Sequence, residues 1–411
     1  MNKCLQFFEY ERVAYRGKWR RDDFLKKHFE AFEHYYTKNP DTPFFELIPY
    51  GIRFKQYVGA IQIGKTTIEV LPKVGKDGSK KQWQAILLEM LKTCSLLTAR
   101  QTGEAQLKLK SNSIMELYFE LYLNEIEQLI RRGLIKQYQR REGQQRALKG
   151  PLKFNKHIEK NSIHKERFYI DYTVYTKSHL LHQILNEAIL IVDQMSNSSL
   201  LRDKIERIKI QFPKVERCKI NESHYRKLPN SRKTQVYKRA LSIAELILLN
   251  YRPDIRTGKR DLLAIMFDMN KLWEEYVFRI LKRNHSDVFH IKGQERKVFW
   301  GKSQRIKPDI VLKHKETDDV FVIDTKWKVI NNSRPGDNDL KQMYVYNHYW
   351  ESFHSLLLYP MSNEQKDISG HFTLPMQDSR HKCQLGFAKV LENGRLNGSL
   401  SHEIIAKFEQ F

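Results

Sequence analysis

The run Val320-Phe321-Val322-Ile323, closed by Asp324-Thr325-Lys326, constrains this chain more than any other feature. Four apolar residues in a row suit a strand covered on both faces, inside a sheet with layers on either side. Asp324 and Lys326 stand at i and i+2, so they share one side of that strand, with Thr325 pointing away. A charged pair at the end of a buried strand is costly unless it is paired, bound to metal or functional. Upstream, Pro308-Asp309 opens a second apolar strand, PDIVL.

These residue types suit phosphodiester chemistry. Two carboxylates at close range repel each other, and a hard divalent cation relieves the repulsion. Mg²⁺ prefers oxygen ligands and keeps several waters, with Mn²⁺ able to stand in. A metal-bound water ionises more readily and becomes a nucleophile near neutral pH. In this reading Asp309 and Asp324 hold the metal, and the Thr325 backbone carbonyl completes its shell. Lys326 orients the attacking water. Glu274 lies on an amphipathic helix, with Val277 and Phe278 at i+3 and i+4, so it can sit at the edge of the buried face and support the metal. Gln342 and Tyr346, at i and i+4 in a further helix, share one face beside the site. The bland alternatives are a solvated strand end with a salt bridge, an exposed helix carboxylate (Glu275 is adjacent) and an ordinary amphipathic helix.

The 411 residues carry a formal charge of +24, which favours a polyanionic partner because each neutralised phosphate releases a counterion. A basic surface that only aids solubility is the alternative. Cys4, Cys94, Cys218 and Cys383 are far apart and form no C-x-x-C, and no H-E-x-x-H occurs, so a zinc site is not expected. The start carries no secretion signal, and no apolar run is long enough to span a membrane, so a cytoplasmic protein is expected.

Residues 44–75 read as strands broken by glycines, after a helix within 19–38. Helices follow from 82 to about 140. Residues 140–160 read as a basic loop or exposed hairpin, and 168–176 as a strand. The basic run 131–146 could track DNA phosphates or be a solvated helix face. Helices are expected at 179–195 and 240–251, and a linker at 251–261. After it come a long helix from Asp261 to Arg283, several strands, a helix at 339–350 and a strand at 355–360.

Within the first strand region, Gly59, Gly64, Lys65 and Thr66 match the phosphate-loop pattern G-x-x-x-x-G-K-[ST]. The loop interior is Ala-Ile-Gln-Ile, and the segment that should be a helix is β-branched, alternating and stopped by Pro72. This predicts a hairpin turning at Gly64-Lys65, so no bound nucleotide is expected.

A helix with Glu274, then Pro308-Asp309, then Asp324-x-Lys326, then a Gln342-x-x-x-Tyr346 helix resembles the PD-(D/E)xK nuclease superfamily. The segments FDMNKLWEEYV, KPDIVL and VIDTKWK, with IEVLPK near the N-terminus, narrow the resemblance to the McrC family, the nuclease subunit of McrBC-type modification-dependent restriction systems. Choosing Glu274 over Glu275 rests on that family's L-(F/W)-E pattern. LKGPLKF (148–154) departs from the family's L-R-G-R at Lys149 and Pro151.

The resemblance implies a multidomain α+β and α/β chain: a β-rich and helical adaptor region, then a restriction-endonuclease-like α/β domain with a central mixed sheet. The expected divisions are 1–85 for partner docking, 86–255 as a helical and basic middle, and 260–411 as the endonuclease. It also implies an McrB-like AAA+ GTPase hexamer as partner, stimulated by this chain, and modified double-stranded DNA as substrate. The rival readings are a motor-independent repair or junction nuclease, and a regulatory subunit with a vestigial site.

Overall fold

A computed structural model describes residues 3–74, 78–94, 113–252, 262–330, 334–362, 365–373 and 380–409. The expected linker lies mostly outside these, at 253–261. Contacts group the chain into two compact units that do not follow its linear order. One holds residues 109–265 with 1–2 and 62–65, and the other holds 3–61, 66–108 and 266–411.

The first of these units is mainly helical. Helices Ile114–Arg132, Leu180–Met195, Ser199–Gln211 and Lys238–Asn250 bury apolar faces such as Tyr118, Tyr122, Ile184 and Ile247. The basic segment after the first helix is a strand, Gln137–Gln145, antiparallel to Phe168–Thr176. Its side chains alternate between half-buried and exposed, as period 2 requires of a ribbon wet on one face. The region 140–160 therefore divides into part of this ribbon and a helix, Phe154–Asn161. Between them Gly150 lies so close to the neighbouring strand that a Cβ would come within 1.9 Å of the Asp171 carbonyl oxygen.

The larger unit contains the expected mixed sheet. Six strands run in the order Phe289–Gly293, Ile310–His314, Val320–Thr325, His354–Pro360, Lys382–Ala388, Ile368–His371. The first three pair antiparallel, the middle pairings are parallel, and the last is antiparallel. Helix Asp337–Trp350 makes the crossover between the two central strands. Its Met343 and Tyr346 pack in one core with Val322, Leu357 and Phe387. Phe321, one residue along the strand, turns to the other face and meets Phe408 of helix Leu400–Glu409, with ring centroids 4.7 Å apart. Both faces of this strand are thus covered, as its uninterrupted apolar run requires.

The expected long helix from Asp261 begins later. Leu262–Asp268 is a strand buried over its first five residues, and the helix is Met269–His285. An apolar run satisfies strand and helix periodicity alike; Asp268 decides the boundary by accepting a hydrogen bond from the Asn270 N–H at 3.0 Å as helix cap. The strands beyond residue 361 and the last helix have patterns too weak to predict them from the sequence.

Tyr57–Ile63 and Thr66–Leu71 are strands joined through Gly64-Lys65, with Gly64 at φ +54°. A phosphate loop needs a helix where Thr66–Leu71 runs as a buried strand. Thr66–Leu71 also pairs in parallel with Lys3–Phe8. That pairing leads the chain to Glu9, whose Oε1 accepts hydrogen bonds from Trp327 Nε1 at 2.7 Å and the Lys73 N–H at 3.0 Å. Trp327 directly follows Lys326, so the N-terminal strand anchors the residue next to the Asp-x-Lys motif.

Burial pushes the Glu9 carboxyl up to about 7 despite those two donors. Between pH 4.5 and about 7 the folded chain keeps a proton there that the unfolded chain releases. Stability from this group is therefore present below the lower value and lost as pH rises through the upper one. Glu9→Gln is expected to be more stable than the parent at pH 8 by up to about 3 kcal/mol, and similar to it at pH 4.5, in denaturant unfolding at both pH values. Lys65→Ala is expected to leave nucleotide binding by this chain unchanged, as measured by equilibrium dialysis with GTP and ATP.

Candidate active site

Asp309 immediately precedes strand Ile310–His314, and Asp324 lies near the end of the antiparallel neighbour Val320–Thr325. This pairing brings residues fifteen positions apart to the same sheet end. Asp309 Oδ2 accepts hydrogen bonds from the Thr325 N–H at 2.7 Å and from Thr325 Oγ1 at 2.9 Å. The Thr325 side chain thus does not simply point away from the site: it holds one carboxylate in place.

Asp324 and Lys326 do share a side, with Nζ 2.7 Å from Oδ2. Asp324 is 2% exposed. The helix Asp337–Trp350 supplies the roof. Gln342 Nε2 donates to Asp324 Oδ1 at 3.3 Å and to the Tyr346 hydroxyl at 2.6 Å. The Tyr346 hydroxyl in turn donates to the Lys307 carbonyl at 2.7 Å. Helix period places Gln342 and Tyr346 one turn apart, so this chain of bonds needs no unusual backbone.

Glu274 enters from helix Met269–His285. It lines the same cleft, of about 500 Å³, as Asp309, Asp324, Lys326, Gln342 and Tyr346. Glu275 instead pairs with Arg279 at 2.6 Å on the exposed face. Glu274 Oε1 accepts from Gln294 Nε2 at 2.6 Å, and Lys307 Nζ donates to Gln294 Oε1 at 3.2 Å. Gln294 sits at φ +50°, a left-handed conformation uncommon for a side chain of this size. Its N–H bonds the Asp309 carbonyl at 2.9 Å, which helps to hold that backbone.

Two residues here escape sequence reasoning. Gln294 has no pattern that marks it. Asp339 does: it stands three residues before Gln342 in the first turn of the helix, on the same face. Its carboxylate lies 3.7 Å from Lys326 Nζ and 2.6 Å from Lys328 Nζ, so the motif lysine is held between Asp324 and Asp339.

The electrostatics follow from burial. Burial, then the charge of Asp309, pushes the Asp324 carboxyl well above the usual carboxylate range. Burial also raises Asp309, opposed by the two Thr325 donors. Glu274 is raised by burial and by Asp309. Burial disfavours charge on Lys326, but Asp324, Asp339 and Asp309 more than compensate and hold it above its ordinary value. A cation between the two aspartates would reverse the penalty on both.

The donor set fits a hard divalent ion. Asp324 Oδ2 is buried without a hydrogen bond of good geometry, and among the described residues both hydrogen bonds to Asp309 fall on Oδ2. No group of three or more His, Cys, Asp and Glu side chains placed to share an ion occurs among the described residues. Glu274 thus lines the cleft without completing such a group. Two carboxylates plus waters are an ordinary set for Mg²⁺, which retains much of its hydration.

At the cleft mouth Lys271, Arg305 and Lys307 add positive charge. Among the described residues no helix is long and apolar enough to cross a membrane.

The fold has solved counterparts. It aligns over 99% of this chain and 100% of the other, at 18% identity and TM-score 0.66, with a chain of the refined half-complex from a tetradecameric assembly of Thermococcus gammatolerans McrB AAA+ hexamers with bound McrC. It aligns over 69% of this chain and 88% of the other, at 19% identity and TM-score 0.50, with a chain of the Thermococcus gammatolerans McrBC complex solved by cryo-EM. A search of curated proteins finds no match. The model of a family described as the McrBC 5-methylcytosine restriction system component matches residues 52–360. That span takes in the strands Tyr57–Ile63 and Thr66–Leu71, the helix carrying Glu274, both aspartates and the Gln342 helix, and the chain belongs to this family.

Proposed function

We propose that this chain is the endonuclease subunit of a two-component restriction system, hydrolysing phosphodiester bonds of modified DNA with Mg²⁺, in a PD-(D/E)xK-type domain. Its partner is an McrB-like AAA+ GTPase hexamer, a reading supported by the likeness of this fold to a chain from an assembly of McrB AAA+ hexamers with bound McrC. The observation that carries the reading is the convergence of Asp309, Asp324 and Lys326 in one cleft, with Gln342 bonded to Asp324 at 3.3 Å.

Asp309 and Asp324, with the Thr325 backbone carbonyl, would hold the ion. When bound, Mg²⁺ supplies charge neutralisation and a more acidic water. Lys326, kept charged between Asp324 and Asp339, points its ammonium into the cleft, orients the attacking water and offsets the charge that develops on phosphorus. Gln342 and Tyr346 fix the position of Asp324. Glu274 supports the hydrated ion from the cleft wall. Lys271, Arg305 and Lys307 receive the DNA backbone, as the net charge of +24 favours.

Asp324→Ala is expected to lower DNA cleavage by about 10³-fold, the size of losing several kcal/mol of transition-state stabilisation. It should leave stimulation of the partner's GTPase intact. The assay is cleavage of methylated plasmid by the reconstituted pair with Mg²⁺ and GTP. Full cleavage by Asp324→Ala would refute the assignment, and cleavage by this chain alone without nucleotide would favour a motor-independent nuclease. In the same assay Glu274→Gln is expected to lose roughly 10-fold or more, and Glu275→Gln less than about twofold, since Glu275 pairs with Arg279 on the exposed face and does not line the cleft.

A further inference from the structure

Of the short hairpin Lys297–Trp300 and Gln304–Ile306 only Arg305 has a role so far, yet the hairpin runs directly into the cleft, where Arg305 and Ile306 line the wall. Its base is fixed to the helix that carries Gln342. Lys297 Nζ donates to the Tyr349 carbonyl at 2.6 Å and lies 4.9 Å from the Trp350 ring centroid. Phe299 meets the Tyr349 ring at 5.7 Å. The turn is left free: Gly301 has φ +57° and open space around it.

The pairing shifts register between Val298 and Trp300, an irregularity of the kind that re-aims a side chain. Trp300 is 69% exposed, beside Val298 at 50% and Phe299 at 46%. Single exposed apolar residues are ordinary, but three in sequence at a rigidly based tip form a surface built to be covered. Lys302 and Arg305 flank it, and among the described residues neither lies within ion-pair distance of a carboxylate. A cationic, aromatic tip continuous with a phosphate-cutting cleft fits DNA better than a protein surface.

The geometry points to this hairpin as a DNA-contacting wedge, in which Trp300 stacks on a base beside the scissile phosphate while Lys302 and Arg305 hold the flanking phosphates. This inference rests on the nuclease reading. Stacking on one aromatic ring tolerates any base, and opening a base step kinks the duplex. Because the hairpin base is tied to the Gln342 helix, the wedge fixes the distance between the opened step and the carboxylates.

The test is duplex binding by fluorescence anisotropy with the full chain, alone and with its AAA+ partner, carrying Asp324→Asn in every sample so that no turnover intervenes. Trp300→Ala is expected to weaken binding about 10-fold and Trp300→Phe to keep most of the affinity. Lys302→Ala with Arg305→Ala is expected to flatten the slope of log affinity against log salt by about 2. Thermal unfolding should be unchanged, because the tip is exposed. Trp300→Ala affinity within twofold of the parent, or equal losses in Trp300→Ala and Trp300→Phe, overturns the wedge. So does intact DNA binding with weakened association to the AAA+ partner, which would make the tip a protein surface. A chain that cuts DNA while Trp300→Ala binds normally sinks the wedge alone. Hairpin-dependent binding without cutting, once Asp324 is restored, sinks the nuclease reading alone.

Discussion

Two aspartates share the buried end of one sheet, and each raises the cost of ionising the other. The surrounding structure offsets that cost in specific ways. Thr325 gives two hydrogen bonds to Asp309, Lys326 sits against Asp324, and Gln342 reaches Asp324 from the crossover helix. The Thr325–Asp309 bonds need strands Ile310–His314 and Val320–Thr325 to keep their register, and the Gln342–Asp324 bond needs the helix Asp337–Trp350 to pack over them. The core of Val322, Met343, Tyr346 and Leu357 is what holds that register. A pair of like charges is unfavourable on its own and favourable beside a divalent cation, which supports the proposal that an ion binds here.

Much of this site was legible because its spacing is local. Asp324 and Lys326 share a side by strand period, and Gln342 and Tyr346 share a face by helix period; the fold then brings both pairs to one cleft. The choice of Glu274 over Glu275 could not be made from periodicity, since adjacent positions on a helix differ by only 100°; the cleft separates them. Asp339 was equally legible by spacing from Gln342 but carries no motif. Gln294 was not legible, because its role depends on a left-handed backbone that no pattern announces.

The fold was harder to read where the signal was ambiguous or long-range. The apolar run Leu262–Phe267 fits helix and strand alike, and its antiparallel pairing with Tyr251–Arg252 and the Asp268 cap fix it as strand. The bond between Glu9 and Trp327 joins residues 318 apart in sequence, beyond the reach of any periodicity argument. At Gly64-Lys65 the letters of a phosphate loop occupy a turn between two strands, where β-branched residues outweigh the motif. A short motif has chemical meaning only in the secondary structure that aims its backbone.

The central claim is that Asp309 and Asp324 together form a divalent-cation site. Calorimetric titration of the full chain with Mn²⁺ tests it without relying on DNA, partner or turnover. The account predicts saturable binding that Asp309→Asn and Asp324→Asn each abolish and Glu275→Gln leaves unchanged. Binding that survives loss of both aspartates, or a parent chain that binds no Mn²⁺ up to millimolar concentration, would contradict it.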